Sequence, residues 1–285
     1  MQSNENVEQI IRMLPEIRSI HNRSSNTYGF IEGIAEKIIK SEFQSGEIVS
    51  REFGPFGNIT FPYVEMGAIS SLDLFGLDEL IIFSFYQANK KRYKNTLDIG
   101  ANIGLHSIVM SRCGFNVICF EPDPKHIQIL ERNLKTNDCQ NVEVIQGAIS
   151  DHDGESEFIR VEGNTTGSHL AGAKAEPYGD LSKFKVKIFN ISRFTSNADF
   201  MKLDVEGHEV VVLKAIPTEH WQHLDAIVEV GTEKNAEEIW SLFKNSNINL
   251  FSQKNGWELV ADLEDIPVSY KEGSLFVSSK TEMPW

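Results

Sequence analysis

The stretch TLDIGANIGLHSI, residues 96–108, decides how the rest of the chain is read. A short apolar, β-rich run ends in a glycine-rich turn, and a helical pattern begins directly after it. Gly100 and Gly104 let the backbone turn tightly and come close to a ligand, while the helix that follows offers unpaired N–H groups to an anion. Strand, glycine turn and helix in this order open a nucleotide-binding α/β unit. Taken alone the turn is weak, because Gly-x-Asn-x-Gly departs from GxGxxG, whose third glycine would fall at Leu105 or nearby. A plain strand-to-helix turn competes with it.

Two further segments, in order, strengthen the reading. NVICFEPDP, residues 116–124, puts Glu121 at the end of the next strand, about 20 residues past the loop, where a carboxylate can hold both hydroxyls of a ribose. VIQGAIS, residues 144–150, ends the following strand with Gln146, Gly147 and Ala148, small enough for an adenine ring to lie against the backbone. An adenosine with free ribose hydroxyls is therefore the expected ligand. Both NAD and S-adenosylmethionine (SAM) carry one. Asp98, inside the strand just before the glycines, favours SAM, since a carboxylate there can support the methionine amino group and would crowd a pyrophosphate.

Strand and helix patterns alternate from about residue 96 onward, which predicts a mostly parallel sheet with helices on both faces. KVKIFNI, residues 185–191, and ADFMKLDVEG, residues 198–207, supply further strands of that series; EVVVLKAI then gives a helix, HLDAIVEVG a strand and NAEEIWSLFKNS a helix. NLFSQKNGWELV and GSLFVSS read as a strand pair closing the sheet. Residues 1–94 differ: GFIEGIAEKIIKSEF has helical spacing, IVSREFGPFGNITFPYV has the punctuation of a hairpin, and SLDLFGLDELIIFSFY predicts a helix capped by Ser71 or Asp73. We expect an N-terminal extension over residues 1–94 packed on a SAM-binding domain over 95–285, with an insertion loop at 163–180.

Composition narrows the partners. The 285-residue chain carries 41 acidic and 27 basic residues, a formal charge of −14 that repels nucleic acid and anionic membrane. No basic region leads into an apolar core at the N-terminus, and no apolar run reaches the length of a membrane span. Three cysteines without a CxxC pair suit reduced thiols, so a cytoplasmic location is expected. The partner expected is a small-molecule or glycan acceptor, and a homodimer is compatible with the chain.

DIGANIGLHSI, FEPDP, GAISDHDGE and KLDVEGHE, in this order, resemble the FkbM family of SAM-dependent methyltransferases. The resemblance covers about residues 95–235, and LDLFGLDELIIFSFY is similar to a helix that some members carry ahead of the core. It implies a Rossmann-like class I methyltransferase fold, with a mostly parallel seven-stranded sheet, and methyl transfer to a hydroxyl of a sugar, polyketide or other small metabolite. By the same resemblance Asp98, Gly100, Asn102 and Gly104 form the SAM loop, Glu121 clamps the ribose, and Gly147 with Ala148 forms part of the adenine wall. Asp204, Glu206, Gly207 and Glu209 match the family's acidic motif.

A hydroxyl is a poor nucleophile at neutral pH, so its methylation calls for a nearby base or for a metal that acidifies it. Asp204 ends its strand at the sheet edge that carries the glycine loop and is the first candidate, as base or metal ligand. Glu206 follows by strand alternation, against the reading that it favours a helix start. Glu209 opens the next helix, His208 competes with a surface role, and Asp204 with Glu229 is the candidate pair for a divalent cation. In the 163–180 segment Thr166, Ser168 and His169 are hydrogen-bonding candidates, and His169 rivals Asp204 as base because an imidazole titrates near neutrality. The expectation is a SAM-dependent O-methyltransferase acting on a sugar or sugar nucleotide. Its rivals are a methyltransferase for lipid, polyketide or peptide, a non-catalytic SAM-binding or scaffold protein, and an NAD-dependent oxidoreductase.

Overall fold

The computed structural model describes residues 2–43, 50–66, 69–162, 167–173 and 180–285. Its N-terminal part holds α1 (Gln2–Met13), α2 (Asn26–Phe43), a hairpin of β1 (Ser50–Glu52) and β2 (Asn58–Thr60), and α3 (Leu77–Ala88). Aromatic side chains bind these pieces together: Phe53 and Phe61 meet Phe75 edge-on, and Phe43 stacks on it at 4.6 Å. Helix α3 is buried along most of its length, including Leu80, Ile81, Phe83, Phe85 and Tyr86, so it is a core helix of the whole molecule. Its cap differs from the expected one. Gly76 occupies the N-cap, its carbonyl accepting Leu80 N–H at 3.0 Å, while Ser71 and Asp73 bond the preceding turn through Pro62, Val64 and Ser70.

The central sheet is built from β3 (Asn95–Ile99), β4 (Asn116–Glu121) and β5 (Val142–Gln146), joined by α4 (Leu105–Arg112) and α5 (Pro124–Thr136). The chain then makes a second sheet from β6 (Ala148–Ser150), β7 (Gly154–Val161), β8 (His169–Leu170) and β9 (Leu181–Asn190). After the short α6 (Ser192–Thr195) it returns to the central sheet with β10 (Phe200–Leu203), α7 (Glu209–Lys214), β11 (Asp225–Glu229), α8 (Glu233–Phe243), β12 (Asn249–Ser252), β13 (Glu258–Leu259) and β14 (Ser274–Ser278).

Across the central sheet the order is β13-β12-β14-β11-β10-β3-β4-β5. β3, β4, β5, β10 and β11 pair in parallel, whereas β14 runs antiparallel to both β11 and β12. This is the Rossmann-like order expected of the chain, with a helical extension ahead of it. Among the described residues the sheet has eight strands where seven were expected, the eighth being the two-residue β13 at the edge.

KVKIFNI is a correction of substance. It belongs to β9, which pairs with β7 over eight positions in the second sheet and not with the central one. The physical break is Gly147, at φ 159°, which divides VIQGAIS into β5 and β6. The 163–180 segment is also more ordered than a surface loop where it is described: β8 pairs with β7, and both Ser168 and His169 are buried. Thr166 lies outside the described residues.

Because β3 pairs with β4 on one side and β10 on the other, the chain leaves it in one direction and later returns in the opposite one. A crevice forms at the carboxyl ends of strands at such a switch point. Ile99 is aligned with Leu203 of β10 and Phe120 of β4, so Gly100, Asp204 and Glu121 emerge side by side.

Candidate active site

The glycine loop is held from several sides. Gly100 N–H and Ala101 N–H both donate to the Phe120 carbonyl at 3.0 Å, and the Asn133 amide donates to the Ile103 carbonyl at 2.9 Å. Gly100 has φ 83°, and a Cβ there would run into the Asp204 carbonyl oxygen, so only glycine fits. Asn102, at φ 52°, turns its N–H onto Glu121 Oε2 at 2.9 Å, while Asp123 N–H donates to Oε1 at 2.8 Å. Two backbone amides thus fix the Glu121 carboxyl beside the loop. Burial nevertheless pushes its pKa up to about 8.

Asp98 is fully buried and accepts the Ser107 hydroxyl on Oδ2 at 2.6 Å. Its Oδ1, like the buried Oδ1 of Asn102, has no hydrogen-bond partner among the described residues. Buried polar atoms are normally paired, so these two, beside a loop that admits no side chain at Gly100, fit a ligand rich in donors. The amino acid and ribose ends of SAM are such donors.

Gly147 and Ala148 lie at the break between the sheets. Gly147 N–H bonds the Glu121 carbonyl at 3.1 Å, and a Cβ on it would sit 2.6 Å from the Phe189 ring. The Ala148 methyl is buried with Phe158, Leu170, Val186 and Ile188 in the core of the second sheet, so an adenine wall there would be backbone. A buried Arg160 on β7 donates through Nε to Asp123 at 2.6 Å and ties that sheet to the start of α5.

A cavity of about 440 Å³ opens at the carboxyl ends of β10 and β11 and is roofed by α2 and the start of α3. Lys202, Asp204, Glu229 and Glu79 face it together with Tyr28 and Tyr270. Lys202 Nζ donates to Asp204 Oδ2 at 3.1 Å. Burial opposes the charge on Lys202, but Asp204, Asp98, Glu79 and Glu229 together hold its pKa above the usual lysine value. Glu229 is pushed well up by Asp204 first, then by burial and Glu206, with Lys202 working against the shift. A carboxyl pair with one high pKa beside a fixed ammonium is the arrangement by which sites separate acid from base.

A groove of the same volume, about 440 Å³, opens at the opposite edge between the amino ends of β3, β4 and β5, and among the described residues Glu143 is its one titratable lining residue. Open α/β sheets bind ligands at the carboxyl ends, so the chemistry belongs to the first cavity.

The other expected residues separate into distinct places. Glu206 has φ 54°, a left-handed conformation costly for a non-glycine, in the turn that follows Asp204. Glu209 is buried and holds that turn: it accepts N–H groups of Val205 and Gly207 and the Asn235 amide at 2.8 Å. His208 points to the second sheet, its Nε2 3.0 Å from the Ser150 hydroxyl, and burial lowers its pKa. His169 is buried on β8 with Nδ1 3.0 Å from the Gly167 carbonyl. Neither histidine lines the cavity with Asp204.

Sequence reasoning missed Lys202 and Glu79. The signal for Lys202 was a lysine inside the apolar run FMKL, two positions before Asp204 and therefore on the same side of a strand. Glu79 had no comparable signal, because its proximity comes from the packing of α3.

Residues 98–257, more than half of the chain, match the methyltransferase FkbM domain. The chain belongs to the FkbM methyltransferase family. It is a SAM-dependent methyltransferase, and Asp98 through Glu229 all lie inside the matched segment. This FkbM methyltransferase is 27% identical over 199 residues to methyltransferase sdnD of Sordaria araneosa, covering 56% of this chain and 76% of that one. It is 24% identical over 164 residues to the hexuronic acid methyltransferase AglP of Haloferax volcanii, covering 53% and 62%. Among solved structures, the SAH-bound Podospora anserina methyltransferase PaMTH1 aligns with 11% identity and a TM-score of 0.38, over 70% of this chain and 78% of that one.

Proposed function

We propose that the protein transfers a methyl group from SAM to a hydroxyl of a sugar or a related polyol, with Asp204 as the base. The observation that carries this reading is the cavity at the carboxyl edge of β10 and β11, where Asp204 stands on the ammonium of Lys202 beside Glu229. The lining sets carboxylates, an ammonium and two tyrosines among apolar side chains such as Ile39, Phe75 and Ile227, and these converging polar groups supply the hydrogen bonds that orient a polyhydroxylated acceptor. The hexuronic acid methyltransferase among the relatives supports a carbohydrate acceptor.

When bound, SAM supplies an electrophilic methyl carbon on a sulfonium. Glu121 would hold the ribose hydroxyls, and Asp98, Gly100 and Asn102 the loop side of the methionine and ribose. Asp204 would hold the acceptor hydroxyl and take its proton, so that the oxygen could receive the methyl group that bound SAM supplies, the sulfur leaving as the neutral thioether. Lys202 fixes the Asp204 carboxylate for that step. Glu229, with its raised pKa, donates or accepts a hydrogen bond to a neighbouring hydroxyl according to pH.

The pair Asp204 and Glu229 was also a candidate for a divalent cation. Among the described residues no group of three or more His, Cys, Asp or Glu side chains is placed to hold a metal, and Lys202 already supplies positive charge at Asp204. We therefore favour proton abstraction by the carboxylate over metal activation.

The reading is tested by incubating the protein with radiolabelled SAM and a panel of free sugars, uronic acids, sugar nucleotides, lipids and peptides. Label transfer to a carbohydrate hydroxyl that is lost in Asp204→Asn supports it. Transfer confined to lipid or peptide would overturn the acceptor class.

A further inference from the structure

We propose that Glu79 holds the α-ammonium of the methionine part of SAM, so that α3, which precedes the matched FkbM domain, completes the cofactor site. The inference rests on the SAM-dependent reading of the site. Glu79 stands in the first turn of α3 and faces the cavity that also holds Lys202 and Asp204. Its Oε2 accepts His106 Nε2–H at 2.7 Å, and His106 Nδ1 is 2.9 Å from the Tyr86 hydroxyl.

His106 and Tyr86 are both buried, and His106 follows Gly104 by two residues. The imidazole therefore locks the Glu79 carboxyl to the helix that begins at the glycine loop. Its other oxygen, Oε1, makes no hydrogen bond among the described residues.

Asp98 reaches the same neighbourhood from β3. Its charge and that of Glu79 both act on the Tyr86 hydroxyl and on Lys202. Among the described residues Asp98 keeps its buried Oδ1 without a partner, and Glu79 bonds only through Oε2, to His106. Two such oxygens call for a group with several N–H donors and a positive charge, which an ammonium is and a single hydroxyl is not. Among the described residues the Lys202 ammonium bonds Asp204 and neither of these two oxygens. Burial works against the ionised form of Glu79, but His106 and Lys202 outweigh it and hold its pKa below the usual carboxylate value, so the charge is in place at neutral pH.

The experiment is calorimetric titration of the full chain, as wild type, Glu79→Gln and Glu79→Asp, with S-adenosylhomocysteine and with 5′-methylthioadenosine. The two ligands share the adenosine and thioether and differ by the amino acid end. Glu79→Gln is expected to weaken S-adenosylhomocysteine about 10- to 100-fold, the scale of a lost charge-assisted hydrogen bond, and to leave methylthioadenosine within about twofold. Glu79→Asp should recover part of the loss. Equal weakening of both ligands with a lowered melting temperature would reduce Glu79 to a structural role and overturn the proposal. Unchanged S-adenosylhomocysteine affinity in Glu79→Gln would overturn it as well and give Glu79 to the acceptor. A wild-type protein that binds neither ligand would overturn the SAM-dependent reading itself, and the proposal with it.

Discussion

Gly100 and Asp204 interlock: the Asp204 carbonyl oxygen occupies the space a Cβ on Gly100 would need, and Asp204 N–H bonds the Ile99 carbonyl at 3.0 Å. The glycine loop and the acidic motif, about a hundred residues apart in sequence, are thus one rigid piece. Gly100→Ala combines a left-handed φ with a backbone clash, and is expected to cost roughly 2–5 kcal/mol of stability. Thermal denaturation together with SAM titration checks this. A variant that melts and binds like wild type would show that the two motifs are not locked.

Glu121 makes SAM affinity depend on pH. Ribose hydroxyls donate to its ionised form, so binding should tighten as pH rises through about 8. Calorimetry between about pH 6.5 and 9 should show that slope, and Glu121→Gln should bind more weakly with the slope removed. Folding has the opposite sign. A carboxyl whose folded pKa is raised from 4.5 to about 8 contributes stability that is complete below the lower value and is lost as pH passes through the upper one.

Asp204→Asn retains shape and removes the base. Methyl transfer to the carbohydrate found in the acceptor screen should fall about 10²- to 10⁴-fold in kcat, with the SAM Kd changed by less than about threefold. Loss confined to SAM binding would remove Asp204 from the chemistry. Lys202→Met should be worse for the fold, because it leaves Asp204 facing Glu229 without their shared counter-charge, at a cost of roughly 3–5 kcal/mol.

Chelation separates the two roles given to Asp204. With Lys202 already on its carboxylate, prolonged dialysis against a chelator should leave methyl transfer unchanged, and added magnesium should not raise it. Activity lost in chelator and restored by magnesium would favour the cation.

Glu209 and Asn235 should behave as structural residues. Glu209→Ala strips acceptors from the Val205 and Gly207 amides in a buried turn and should cost roughly 2–4 kcal/mol by urea denaturation. His208→Ala and His169→Ala, both off the cavity, should keep methyl transfer within about fivefold of wild type once folding is checked. A drop in kcat of a hundredfold in either would return that histidine to the catalytic list.

Local pattern was enough for the central elements. The order of β3, α4, β4, α5 and β5 follows from apolar periodicity and from glycine at Gly100 and Gly104, because each of these is a property of a few neighbouring residues. The same pattern could not separate the two sheets. VIQGAIS and KVKIFNI look alike as strands, and their assignment depends on Gly147 turning the chain and on β7 outcompeting the central sheet for β9.

By itself, then, the sequence determined the family, the cofactor class and the ends of strands from which Asp98, Glu121 and Asp204 project. Tertiary structure decided what stands opposite them. Lys202 meets Asp204, Glu79 meets His106, and His208 turns to Ser150 because strand order and the docking of α3 bring distant residues together. Charge pairing at a few ångströms sets pKa and role, and such pairing is fixed by packing across the chain and not by spacing along it.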